Sequence, residues 1–155
     1  MRLLFLDIDG VLNGHQKVIP GSLYCGIRRD CVERLNRIIE STDCQLVISS
    51  AWRYMILGGA MTLKGFEYFL LTHGVDCHER VHGHTVSDEL YDRREHQILH
   101  YLAQFPERPA WCVLDDDPMG MSFGANQWRL VRTDGTKGLT TEDADRLIAI
   151  LKWGE

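Results

Sequence analysis

Residues 3–10 read Leu3-Leu4-Phe5-Leu6-Asp7-Ile8-Asp9-Gly10, an apolar run that ends on two carboxylates one residue apart. The run describes a short buried strand. Strand side chains alternate sides, so Asp7 and Asp9 are expected to share one side of the chain. A buried strand that stops on an acid-x-acid-Gly turn concentrates negative charge at a sheet edge. That charge needs compensation, and a hard divalent cation is the expected source. This turn is the candidate reacting centre.

Outward from it, the pattern alternates strands and helices. The first strand covers roughly 2–7. Residues 10–28, with several Gly and one Pro, suit an irregular loop or small hairpin over the site. Val32, Leu35 and Ile39 recur on one face and predict a helix over 29–41. Gln45–Ile48 reads as a second buried strand, ending at Ser49-Ser50. Phe66, Phe69 and Leu70 predict a helix over 62–73, with Gly74 as its stop. Residues 75–93 are polar and irregular, with a short strand expected near 81–86. A helix over 94–105, with Ile98, Leu99 and Leu102 inward, ends at Pro106. Ala110–Leu114 is a further strand, closed by Asp115-Asp116-Asp117-Pro118, and Trp128–Arg132 is another. Thr140 is the expected N-cap of a last helix that buries Ala144, Leu147, Ile148 and Leu151.

Short buried strands alternating with helices predict an α/β fold: a three-layer, Rossmann-like parallel sheet with helices on both faces. In such sheets the working groups gather at the carboxyl ends of the strands. Polar residues mark three of those ends, at Asp7/Asp9, Ser49/Ser50 and Asp115/Asp116. The 155 residues are expected to form one domain over 1–155. A composition of 45% hydrophobic and 25% charged residues is that of a globular chain. A net charge of -5 argues against broad, nonspecific capture of nucleic acid and against an anionic membrane. The five cysteines (25, 31, 44, 77 and 112) form no Cys-x-x-Cys, which suggests a reducing, cytoplasmic setting without structural disulfides. The apolar run before Asp7 is too short for a signal peptide or a spanning helix.

Residue type then assembles a chemistry. Asp7, Asp9 and one or two of Asp115–Asp117 make a carboxylate cluster that repels itself unless a cation sits within it. Oxygen ligands without a Cys or His partner favour Mg²⁺ over zinc. Ser49 brings a hydroxyl, and the amides beyond it suit an anionic oxygen. Arg93 or Arg94, at a helix start, brings positive charge. Cation, amides, hydroxyl and guanidinium together suit a phosphate. Arg53 is a candidate substrate contact, whereas Trp52 and the Phe66–Phe69 run read as core. His73, Cys77, His78, His82 and His84 crowd one segment, but their spacing matches no closed zinc site.

In order and content these motifs resemble the haloacid dehalogenase (HAD) superfamily of phosphohydrolases. They are Asp7-Ile8-Asp9-Gly10-Val11-Leu12-Asn13, then Val47-Ile48-Ser49-Ser50, then a base before a helix, then Val113-Leu114-Asp115-Asp116-Asp117. Ser49-Ser50-Ala51-Trp52-Arg53 and Gly138-Leu139-Thr140 also resemble a small, nearly capless group associated by name with Swiss Army Knife RNA repair proteins. The resemblance implies a HAD-like core with at most a minimal cap. It implies a Mg²⁺-dependent phosphatase in which Asp7 attacks phosphorus and Asp9 serves as acid and then base. The metal is expected on the Asp7 carboxylate, the Asp9 backbone carbonyl and Asp116, with Asp115 near or in its shell. Ser49 and the Ser50 amide are expected to hold the transferring oxygens, Gly10 and Arg53 to face substrate, and Arg94 to orient Asp7. The third motif is most often Lys, so Arg94, Arg93 and Lys137 all stand as candidates. The expected partner is a phosphorylated substrate, a small molecule or a bulky one such as a nucleic-acid end. Two other functions share this residue set, a receiver-like phosphoacceptor domain and an idle binding protein. In a receiver the acceptor Asp ends a later strand, whereas here the acid-x-acid pair comes first.

Overall fold

A computed structural model describes residues 1–14, 26–86, 93–117 and 121–154. Its strands are β1 (Arg2–Leu6), β2 (Gln45–Ile48), β3 (Val81–His84), β4 (Ala110–Asp115) and β5 (Leu130–Arg132). Its helices are α1 (Arg29–Thr42), α2 (Tyr54–Leu57), α3 (Leu63–Thr72), α4 (Arg94–Leu102) and α5 (Thr141–Trp153). The strands form one parallel sheet in the order β3-β2-β1-β4-β5, flanked by helices, as the sequence predicts.

β1 lies at the centre because it is apolar on both faces: Leu3, Leu4, Phe5 and Leu6 are all fully buried. Each such side chain contributes about 2 kcal/mol of hydrophobic stabilisation. Leu4 and Leu6 join Leu46, Ile48, Cys112 and Leu114 beneath α1, α3 and α5. Leu3 and Phe5 join Val47, Trp111 and Val113 beneath α4. The chain reaches the sheet edge at β3 and returns to β4 beyond β1. A right-handed crossover in that reversed direction puts α4 on the opposite face from α1 and α3. The strand order reverses between β1 and β4, where a crevice opens at the carboxyl ends.

Two expected elements are corrected and one is added. β5 begins at Leu130, because Gly124–Arg129 coil into a 3₁₀ helix. There the Arg129 guanidinium turns inward over Trp111 and Trp128 and donates to the Trp111 carbonyl. α4 ends at Leu102, not 105, and it exposes Leu99 while turning Tyr101 onto Phe5. A helical segment over 51–57, immediately after β2, carries no apolar period long enough to reveal it.

Cys31, Cys44, Cys77 and Cys112 are buried free thiols; Cys25 and most of the loop over 10–28 lie outside the described residues. No helix among the described residues is long and apolar enough to cross a membrane. α5 opens on a capping box: the Thr140 hydroxyl accepts from Asp143 N at 3.2 Å, and the Asp143 carboxylate accepts from Thr140 N at 3.0 Å. Thr140→Ala is expected to cost about 1 kcal/mol, read as a lower midpoint in urea with an unchanged slope.

Candidate functional site

In-register pairing builds the site. Leu6 of β1 stands beside Leu114 of β4, so Asp7, just past β1, and Asp115, the last residue of β4, come side by side. The odd-numbered positions of both strands face α4, and so do these two carboxylates by the same alternation. α4 runs back along the sheet, which sets its first residue, Arg94, over the carboxyl ends. The Arg94 guanidinium pairs with Asp7 Oδ2 at 3.4 Å and with Asp115 Oδ2 more closely. Arg93 is the exposed N-cap of α4, and Lys137 pairs at 3.6 Å with Asp134. Of the three candidate bases, Arg94 is the one that stands on the acidic pair.

Burial raises the Asp7 pKa; Arg94, the Ser50 hydroxyl and the Ile8 N–H pull it back down, and Asp116 adds to the rise. Burial pushes Asp115 up to about 6, with Arg94 opposing the shift and Asp7 adding to it. Oδ1 of Asp7 accepts from Ile8 N at 2.9 Å, and Oδ1 of Asp115 accepts from Asp117 N at 2.9 Å. Asp116 projects toward the same place, and ligand oxygens of Asp7, Asp115 and Asp116 lie within 4.8 Å of one another. Among the described residues, this is the one group of acids, histidines or cysteines close enough to hold a metal. The histidine-rich segment forms no such group: His82 Nδ1 meets the Tyr101 hydroxyl, His73 Nδ1 the Phe69 carbonyl and His84 Nδ1 the Thr85 carbonyl.

Asp9 departs from the sequence reading. The chain leaves the extended conformation after Asp7, with Val11 N and Leu12 N both donating to the Ile8 carbonyl. Strand alternation therefore stops before Asp9, whose side chain is exposed and stands apart from the three-carboxylate group. It is held instead by two neutral donors, Trp52 Nε1 to Oδ2 at 2.9 Å and Asn13 Nδ2 to Oδ1 at 2.8 Å. Gly10 closes the turn at φ 71°, and a Cβ there would lie 2.2 Å from Asp116 Oδ2. Only glycine permits so close an approach of the first acidic turn to the last.

The two serines are both buried, and they differ. The Ser50 hydroxyl accepts from Trp52 N at 3.4 Å and helps to hold the Asp7 pKa down, whereas the Ser49 hydroxyl meets no partner among the described residues. Arg53, expected to face substrate, is 4% exposed. Its guanidinium donates to the Ser50 carbonyl at 2.8 Å and to Gln97 Oε1 at 3.0 Å, bracing the turn after β2 from inside. A cavity of about 790 Å³ covers the carboxyl ends and is lined by Asp7, Asp9, Ala51, Arg94, Asp116 and Thr133, among others. Thr133 carries no signal in the sequence, yet its hydroxyl donates to the Gly10 carbonyl at 2.8 Å and its N–H to the Asp115 carbonyl at 3.1 Å. Gln97 is equally unmarked, and Asn13, though inside the first motif, has no role assigned there, because both depend on partners that folding supplies.

Among families of known proteins, the one described as the HAD domain in Swiss Army Knife RNA repair proteins matches residues 3–144. No curated protein and no solved structure matches the chain.

Removing Arg94 leaves two buried carboxylates adjacent with no cation to offset their repulsion. Arg94→Met is expected to cost about 3 kcal/mol at pH 7 in metal-free buffer, measured by urea denaturation. Asp115 binds its proton more tightly folded than unfolded. Its contribution to stability is therefore complete below pH 3.8 and lost as pH rises through about 6. The Arg94→Met deficit should shrink as pH falls through that window.

Proposed function

The chain belongs to the family of HAD domains found in Swiss Army Knife RNA repair proteins, and from that premise we propose that it is a Mg²⁺-dependent phosphatase acting on a nucleic-acid end. Membership of a phosphohydrolase superfamily implies a phosphorylated substrate. The observation that carries the metal-dependent phosphatase reading is the convergence of ligand oxygens of Asp7, Asp115 and Asp116 within 4.8 Å, with the Arg94 guanidinium on two of them.

The donor set fits a hard cation. It is all oxygen, and it bears more negative charge than Arg94 cancels. Asp7, the Asp9 backbone carbonyl and Asp116 would hold Mg²⁺, with Asp115 beside them. When bound, the ion offsets the negative charge of the transferring phosphoryl group and its neighbours. Asp116 lines the cavity, whereas Asp115 is fully buried and committed to Arg94 and Asp117 N.

Asp7 attacks phosphorus, forming an aspartyl-phosphate as the bond to the leaving oxygen breaks. Asp9 gives its proton to that oxygen. It then takes a proton from the water that attacks the intermediate, which frees Asp7 and inorganic phosphate. Arg94 aims Asp7 and favours its ionised form, as the nearby Ser50 hydroxyl does, and Ser49 and the Ser50 amide complete the anion site. Arg53 acts through this turn as a positioning residue. The reading of a nucleic-acid end is supported by the family's association with RNA repair proteins and by a wide, lightly covered cavity among the described residues.

Phosphate release from 4-nitrophenyl phosphate is expected with Mg²⁺ and not with EDTA. Asp7→Asn should abolish it, and full activity in that variant would remove Asp7 as nucleophile. Asp9→Asn should lower kcat on an unactivated alkyl phosphate by about 10²–10⁴. Saturating Mg²⁺ at about 100 times its Kd should raise stability by about 2.7 kcal/mol. A calorimetric melt should register that gain, and Asp116→Asn should lose most of it.

A further inference from the structure

Two cavities meet at Asp9. The larger is the charged one described above. The smaller, about 360 Å³, shares Asp9 and Ala51 with it and is walled by Trp52 and Met55. Polarity changes across this boundary: carboxylates and Arg94 line one side, and an indole, a thioether and a methyl group line the other.

The indole is held in place. Its ring packs against Phe69 at 5.3 Å and Phe66 at 6.5 Å, both on α3. Its N–H is spent on Asp9 Oδ2 at 2.9 Å. Trp52 is nevertheless only half-buried and lines the groove. A rigid aromatic side chain walling an apolar groove that opens onto the charged cavity at Asp7 and Arg94 is an arrangement that binds flat rings.

The leaving group of a phosphate ester seated at Asp7 must pass Asp9. Toward Asp116, Asp117 and Asp134 it would meet carboxylates, and the Arg132 guanidinium there already donates to the Asp116 carbonyl at 3.2 Å. Past Ala51 it meets the apolar groove. We propose that the Trp52–Met55 groove is the leaving-group site and that it takes a nucleobase. This rests on the phosphatase reading and names the part of the substrate that selects it. Continuity with the charged cavity through Asp9 and Ala51 is what assigns the groove to substrate.

Base stacking against an aromatic side chain corresponds to about tenfold or more in affinity. The wild-type protein with Mg²⁺ should therefore prefer adenosine monophosphate (3′ or 5′) over glycerol phosphate by about that factor in kcat/KM. Met55→Glu, which sets a charge in the groove at a half-exposed position, should erase most of the preference through KM. Met55→Leu should keep it. Equilibrium binding of adenosine monophosphate and glycerol phosphate to Asp7→Asn, measured by calorimetry, provides an arm that needs no turnover. Equal binding of the two, or a preference untouched by Met55→Glu, overturns the groove assignment. A phosphotyrosine peptide preferred over adenosine monophosphate overturns it as well. If neither ester is hydrolysed by the wild type, the phosphatase reading fails, and the binding arm still decides the groove.

Discussion

Two carboxylates stand next to each other at the end of the sheet, and the rest of the site follows from how that is tolerated. Asp7 and Asp115 extend adjacent, in-register parallel strands. Neighbouring strands lie about 5 Å apart. At an effective dielectric near 20, two unit charges at that separation repel by about 3 kcal/mol. Burial adds a desolvation cost, which is why both groups are pushed toward their neutral forms. Arg94 opposes this, and it can do so only because α4 lies on the face to which odd-numbered strand residues point. The topological reversal between β3 and β4 thus has an electrostatic consequence: it delivers the start of a helix, and one guanidinium, to the acidic pair. Asp116 adds a further carboxylate to the same space, so Arg94 leaves negative charge over.

Some of this could be read from the chain alone, and the reason is local. Asp7 and Asp115 end regular strands, where alternation and burial are properties of a few consecutive residues. The helices over 29–42, 63–72 and 141–153 were equally legible from apolar periodicity, and Thr140 from its capping chemistry. Legibility failed where a residue's direction depends on something remote. Strand alternation puts Asp9 beside Asp7, but the turn that begins at Ile8 carries Asp9 to Trp52 and Asn13. Ser49 and Ser50 are indistinguishable as letters, and the turn after β2 decides which hydroxyl gains a backbone partner. Arg53 looks like a solvent-facing cation until Gln97, 44 residues away, gives its guanidinium a buried partner. Leu99 reads as inward, but the register of α4 against Phe5 selects Tyr101 instead.

The separation of Asp7 from Asp9 has a chemical use in the proposed reaction. A nucleophile is best kept ionised and aimed, and Asp7 is buried, fixed by the Ile8 N–H and paired with a guanidinium. A group that alternately gives and takes a proton is better served by neutral neighbours than by a permanent cation. Asp9 has such neighbours, an indole and an amide, and it stands where the charged cavity opens onto the apolar one. Two carboxylates with one residue between them thus acquire different surroundings, because the chain turns between them.

That turn has to be rigid for the division to hold, and its rigidity comes from outside the motif. Gly10 sits against Asp116 more closely than any side chain would allow, and its carbonyl accepts from the Thr133 hydroxyl. Thr133 N in turn donates to the Asp115 carbonyl. Further along, Leu139 N donates to the Val11 carbonyl, and Gly138, at φ 70°, lies where a Cβ would come within 2.9 Å of that same oxygen. The first acidic turn is therefore clamped by the ends of β4 and β5 and by the segment before α5. A substitution at Gly10, Thr133 or Gly138 touches no reacting atom, yet it would loosen the relation between Asp7, Asp9 and Asp116 on which the site's chemistry depends.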